Sequence, residues 1–343
     1  MGVRPRRAGA PARGTGRERR VSEVRVVVEA PARLHLGVLD LGGSLGRRFG
    51  GIGAAIEAPS LLLEGIRAGG VTAEGPEAER VVAIARRVLA YHELPGGVAL
   101  RVRRTIPAHA GLGSGTQLGL AVARVIAELY GGDTQPTALA DASERGQRSA
   151  IGTWTFAGGG FVLEGGRRPG GGLAPLLARH PVPASWRYVL AIPDGTPGLS
   201  GDAEARAFAS LPEPPVEEVR EVAHLVLMQL VPALVDDDLE GFGAALERLQ
   251  VITGGWWAPS QGGVFAPGGT AEAVALLRRL GARGVGQSSW GPAAFGLVTG
   301  DEAARRVADE VAGWLGGRGR VFHGRFSASG ARIIRTTAGV PSD

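Results

Sequence analysis

The order of apolar runs along this chain predicts an α+β fold built as two domains. Three observations carry that expectation. The 343 residues, 44% hydrophobic and 21% charged, are enough for two ordinary globular cores. Strand-like and helix-like runs follow one another irregularly, without the strict alternation of a doubly wound sheet. A Gly/Pro-rich stretch over 165–185 lies near the middle and reads as a connection between domains. The divisions are a tail over 1–22, a first domain over 23–170, a second over 171–330 and a closing tail over 331–343. No repeat of fixed period is visible.

Taken in order, residues 1–20 hold seven arginines and one glutamate among glycine and proline, with no periodicity, and are expected to be disordered. That excess outweighs the formal net charge of +5 for the whole chain, so the rest is close to neutral. A basic body that would grip nucleic acid is therefore not expected. No apolar segment follows the arginines and no run of about 18 apolar residues occurs, so neither an export signal nor a membrane span is expected. A cytoplasmic protein is. There are no cysteines, which excludes disulfides, thiolate nucleophiles and Cys-ligated metals.

Residues 24–29 and 32–37 read as two strands broken by Pro31, followed by a glycine-rich loop over 40–53 and another strand over 60–66. Val81, Ile84, Ala85, Val88 and Leu89 share one helical face over 77–91. Residues 98–103 alternate as a strand, 118–129 form an apolar helix, 137–144 a short one, and 161–164 a strand. Beyond the connection come a strand over 186–193 and helices near 202–210, 216–234 and 238–250. A second glycine-rich region spans 253–269, then a helix over 270–280. Residues 284–298 read as strand, tight loop and strand, followed by a helix over 301–315 and a strand near 320–326.

Between the strand at 98–103 and the helix beyond it lies a loop of particular composition: Gly111, Gly113 and Gly115 interleaved with Ser114 and Thr116. Glycine allows a bulky anion close to the backbone, and the first N–H groups of a helix lack intrahelical partners. The helix dipole adds positive potential there, so phosphate is the natural guest. The plainer alternative is a turn capped by Ser114 or Thr116. The chain has no lysine, so this is not a Walker loop.

Pro107 with Gly111-Leu112-Gly113-Ser114-Gly115-Thr116 resembles the second motif of the GHMP kinase superfamily. Residues 30–37 (Ala-Pro-Ala-Arg-Leu-His-Leu-Gly) resemble its first, and 286–293 (Gly-Gln-Ser-Ser-Trp-Gly-Pro-Ala) lie where its third belongs. The three occur in order and span about 24–326. The resemblance implies a two-domain GHMP-kinase-like fold, with an N-terminal ribosomal-S5-like α/β domain and a C-terminal ferredoxin-like α+β domain. Two departures matter. The segment 148–161, where such kinases carry an acid that orients the substrate hydroxyl, has no carboxylate. The third motif reads Gln287-Ser288-Ser289-Trp290-Gly291-Pro292 instead of a glycine run. Both argue against simple phosphoryl transfer.

With Gly46-Arg47, 50–53, 148–152, 158–161 and 198–201, these features are similar to the β-ribofuranosylaminobenzene 5′-phosphate synthases. The resemblance implies a decarboxylating pentosyltransferase of tetrahydromethanopterin biosynthesis. Such an enzyme joins phosphoribosyl pyrophosphate to 4-aminobenzoate or 4-hydroxybenzoate, releases CO2 and pyrophosphate, and depends on Mg2+. Other readings are an ATP-dependent small-molecule kinase and a non-catalytic ligand sensor. A homodimer is an expectation, since the superfamily often dimerises.

This chemistry allots roles. Gly111 to Thr116 would cradle pyrophosphate, with Ser288 and Ser289 in a second cradle and Arg47 on the 5′-phosphate. Mg2+ favours carboxylates with phosphate oxygens, which nominates Asp40 and, more weakly, Glu204. Arg148 would clamp the acceptor carboxylate through its two-pronged guanidinium, with Arg48 and Arg145 in similar loops. Trp154 or Trp290 would stack on the ring. His35, or His109, would be the base. The run Asp236-Asp237-Asp238 superficially matches the acidic signature of ordinary phosphoribosyltransferases, but its flanks read as a helix–helix junction.

Overall fold

The computed structural model describes residues 24–195, 198 and 201–337, with the side chains of 201–205 excepted. The tail expected over 1–22 and the side chain of Glu204 fall outside that range.

The chain opens with two long antiparallel strands, β1 (Val24–Asp40) and β2 (Phe49–Ala68). Alternate residues of β1, from Val26 through Leu34 to Val38, are at most 4% exposed and give the strand one continuous apolar face. Two strands broken at Pro31 were expected. The ladder instead runs through the proline, its register shifting between Pro31 and Ala32 and again between His35 and Gly37. Bulges of this kind absorb a residue that lacks an N–H and re-aim the side chains beyond it. The expected loop over 40–53 is correspondingly short, since β2 already starts at Phe49.

β3 (Thr72–Glu74), α1 (Ala78–Tyr91), β4 (Gly97–Arg104), α2 (Ser114–Tyr130) and α3 (Pro136–Ala142) follow. α2 buries Leu118, Leu120, Val122, Val125 and Ile126 against the sheet. α4 (Ile151–Gly158) occupies the segment whose glycines and threonines hid its helical nature. β5 (Phe161–Glu164) and β6 (Leu176–His180) extend the same sheet, β5 pairing with β2. The last strand, β11 (Arg332–Thr337), pairs with β1, so the described part of the closing tail expected over 331–343 belongs to the first sheet. The order is β11-β1-β2-β4-β3, with β5 and β6 branching from β2.

A second, four-stranded antiparallel sheet has the order β10-β7-β9-β8, from β7 (Trp186–Pro193), β8 (Arg283–Gln287), β9 (Ala294–Thr299) and β10 (Gly319–Gly324). Its helices are α5 (Gly201–Ser210), α6 (Val216–Leu225), α7 (Val231–Val235), α8 (Leu239–Gln261), α9 (Gly269–Arg279) and α10 (Asp301–Leu315), with a π-helical turn, Val226–Leu230, between α6 and α7. The three aspartates do sit at a helix–helix junction, where Asp238 caps α8 by accepting from the Gly241 N–H at 2.9 Å. α8 is longer than expected and continues through Gly254 and Gly255 to Gln261. It crosses β1 so closely that a Cβ on Gly37 would collide with Leu249. Buried Tyr188 of β7 ties the sheets together, its hydroxyl bridging the N–H and C=O of Ala58 in β2. Among the described residues no helix is long and apolar enough to cross a membrane.

Candidate active site

The phosphate-type loop takes its shape from its glycines. Gly111 and Gly113 have φ of +72° and +77°, a left-handed region costly for other residues. A Cβ on Gly111 would also strike the Ser288 carbonyl. Gly113 is the N-cap of α2 and no side chain caps the helix, so Ser114 and Thr116 do not act as the cap. Gly111, Gly113, Ser114, Gly115 and Thr116 all line a cavity of about 460 Å3 between the two halves of the chain.

Ser288 connects the three motifs. It is 0% exposed, donates from Oγ to the Gly111 carbonyl at 2.6 Å and receives the His35 N–H at 2.9 Å. Its hydroxyl is thus committed to joining the motifs instead of facing a phosphate, a correction to the expected second cradle. Its neighbour Ser289 does line the cavity.

Arg33 reaches from β1 to the Gly111 carbonyl and lies against Gly113. His35 lines the cavity one bulge further on. Burial first, then the charge of Arg33, push its pKa down to about 3, so the ring is neutral at physiological pH and too weak a base to hold a proton. His109, held at φ +54°, also lines the cavity.

Arg80 of α1 and Arg145, from the loop between α3 and α4, stand at the other side of the phosphate-type loop. At the far end Arg148 sits over the Phe208 ring at 5.5 Å. Phe208 meets Trp257 and Trp290 edge-on at 5.2 and 5.6 Å, and the two tryptophans meet at 4.7 Å. The cavity therefore has a cationic end around a helix N-terminus and an aromatic end with its own guanidinium. A polyanion and a flat aromatic acid are complementary to it.

Other expected residues lie elsewhere. The Asp40 carboxylate accepts the N–H groups of Gly43 and Ser44 at 2.7 and 3.1 Å, closing its own turn outside the cavity lining. Arg47 donates to the Gly166 carbonyl at 2.9 Å, away from the cavity. Trp154 donates its indole N–H to Ala174 at 2.9 Å and does not line the cavity either. Trp290 does. Arg80, Phe208 and Trp257 were missed. Arg80 was hidden on a helix read only for its apolar face, and Trp257 in a stretch read only as glycine-rich.

Residues 79–159 match the GHMP kinases N terminal domain and residues 230–315 the GHMP kinases C terminal domain. A β-ribofuranosylphenol 5′-phosphate synthase of Methanothermobacter thermautotrophicus is 33% identical over 90% of this chain and 97% of its own length. The protein of that name from Archaeoglobus fulgidus is 37% identical over 66% of this chain and 75% of its own. In fold, the chain is similar to a homoserine kinase of Cytophaga hutchinsonii, with a TM-score of 0.69 at 19% identity over 90% of this chain and 97% of the kinase. It is also similar to a mevalonate diphosphate decarboxylase of Staphylococcus aureus, with a TM-score of 0.62 at 14% identity over 91% and 98%.

Proposed function

The chain belongs to the β-ribofuranosylphenol 5′-phosphate synthase family on the GHMP fold, and on that premise we propose that it joins phosphoribosyl pyrophosphate to 4-hydroxybenzoate, releasing pyrophosphate and CO2. The hydroxy acid is preferred to 4-aminobenzoate because the relatives are named for a phenol product. The observation that carries the reading is the two-ended cavity, cationic at the glycine loop and aromatic at Trp257, Trp290 and Phe208.

The donor's phosphates lie along Gly111 to Thr116, with Arg33 beside them. The acceptor ring lies against the tryptophan pair and its carboxylate takes the Arg148 fork. In that pose the carbon bearing the carboxylate, made electron-rich by the para oxygen, faces C1′ of the ribose. That carbon forms a bond to C1′ as the bond from C1′ to pyrophosphate breaks. The electron pair of the carboxylate bond then returns to the ring, CO2 leaves and aromaticity is restored. No net proton transfer is required, because the phenol hydrogen stays in place throughout. A neutral His35 fits this role as a wall that orients, not as a base.

A kinase would need a base for the attacking hydroxyl. Among the described residues Glu144 is the carboxylate of the lining, and it is ion-paired with Arg87 at 3.0 Å. The nearby Glu164 is fully buried, accepting from the Gly166 N–H at 2.8 Å and the Ala150 N–H at 3.3 Å. This donor set does not suit a protein-held Mg2+. Asp40 is committed to its turn, and no cluster of three His, Asp or Glu that could hold a metal occurs among the described residues. Mg2+ is therefore proposed to arrive on the donor's own phosphate oxygens, and no step is routed through it. Pyrophosphate release should require a para-hydroxylated aromatic acid and stay at background with benzoate. Phosphate transfer from ATP to small alcohols, with no such release, would put the chain with the kinases instead.

A further inference from the structure

We infer that the leaving pyrophosphate is received by a pair of guanidinium groups, Arg80 and Arg145, which take the place a carboxylate-held metal ion would have in the protein. The identity of the anion rests on the synthase reading. The subsite itself rests on geometry.

Gly115 and Gly119 lie one turn apart on α2 and leave a bare strip of helix. A Cβ at Gly115 would collide with Arg80 Nη2 and come 3.9 Å from Arg145 Nη1. One at Gly119 would come 2.9 Å from Arg145 Nε. Both guanidinium groups therefore press against the first turns of the helix that carries the glycine loop, and both line the cavity. They are held from different elements, α1 and the loop after α3.

The charges around them do not balance. Arg80 pairs with Glu77 at 2.8 Å, and Arg87 with Glu144 at 3.0 Å while also donating to the Ser143 carbonyl at 3.3 Å. Among the described residues Arg145 is ion-paired with no carboxylate, and its Nε is buried without a hydrogen-bond partner. Burial and then the charges of Arg80 and Arg87 disfavour its cationic form, with Glu144 opposing. Two like charges held together against a helix N-terminus are costly without an anion between them. A diphosphate has the charge, the oxygen count and the size to sit there, and charge-assisted hydrogen bonds to arginine are the strong kind. The aromatic end, with Arg148, is left for the acceptor.

The test is calorimetric titration of inorganic pyrophosphate into the full chain in buffer containing EDTA, repeated with excess Mg2+. Binding without metal is expected. Arg80→Gln and Arg145→Ala should each weaken it by about 10- to 100-fold, the range for a lost charged hydrogen bond. Each should leave 4-hydroxybenzoate affinity unchanged, which also certifies that the variant is folded. Binding that disappears in EDTA and returns with Mg2+ would overturn the inference, as would variants that bind pyrophosphate like the parent. Metal-free binding that depends on both arginines, in a protein that forms no riboside, would refute the synthase reading and leave the subsite standing.

Discussion

Arg148 illustrates how much a single side chain is asked to do. Its guanidinium lies over Phe208 at the edge of the tryptophan pair, where a benzoate would present its carboxylate. Lysine keeps the charge but loses the planar fork. Arg148→Lys is expected to raise KM for 4-hydroxybenzoate by about tenfold or more while KM for phosphoribosyl pyrophosphate changes little. Steady-state kinetics with each substrate varied in turn would check this, and equal changes in both constants would contradict it. The loop glycines were legible in the sequence because a positive φ and a close approach are intrinsic demands on a residue type. Asp40 was not, since an acid just after a strand serves a local turn as readily as a metal. Ser288 was misread for a similar reason: the motif placed it near the anion but gave no sign that its hydroxyl would be used between strands.

The loop that carries Arg148 is braced by an acid on the neighbouring strand. Glu164, at the end of β5, receives N–H groups from Ala150 at the start of α4 and from Gly166 beyond β5. Burial raises its pKa from 4.5 to about 7, opposed by those two hydrogen bonds. The unfolded chain releases this proton near 4.5 whereas the folded one keeps it until about 7. Stability should therefore fall as pH rises between those values and level off above, by roughly 3 kcal/mol at most. Glu164→Gln removes the titration, so its Tm relative to the parent should climb from pH 5 to pH 7.5. Parallel Tm profiles would contradict this. Amphipathic elements such as α1 and α10 were legible because their apolar spacing is one-sided. α4 and the second half of α8 were not, because Gly152 and Gly158 of α4 and Gly254 of α8 lie close against Thr116, Arg179 and Val264, contacts that periodicity does not encode.

At the scale of the molecule, three motifs far apart in sequence meet at the Ser288 hydroxyl, with the cavity opening beside them. Their order along the chain was enough to indicate the fold, because the second and third motifs sit where a strand gives way to a helix or turn and the first lies within the long opening strand. The partition into ends was not legible. It depends on Arg80 and Arg145 reaching α2 from separate elements, and on α8 carrying Trp257 against Trp290. The central claim is that such a cavity holds two substrates so that one carbon–carbon bond replaces another. The most direct test follows the label in carboxyl-labelled 4-hydroxybenzoate incubated with the protein, phosphoribosyl pyrophosphate and Mg2+. One labelled CO2 released for each pyrophosphate, and none without the ribosyl donor, is the predicted result. Pyrophosphate released with the label retained in the product would mean transfer to an oxygen of the acceptor, and would contradict the account.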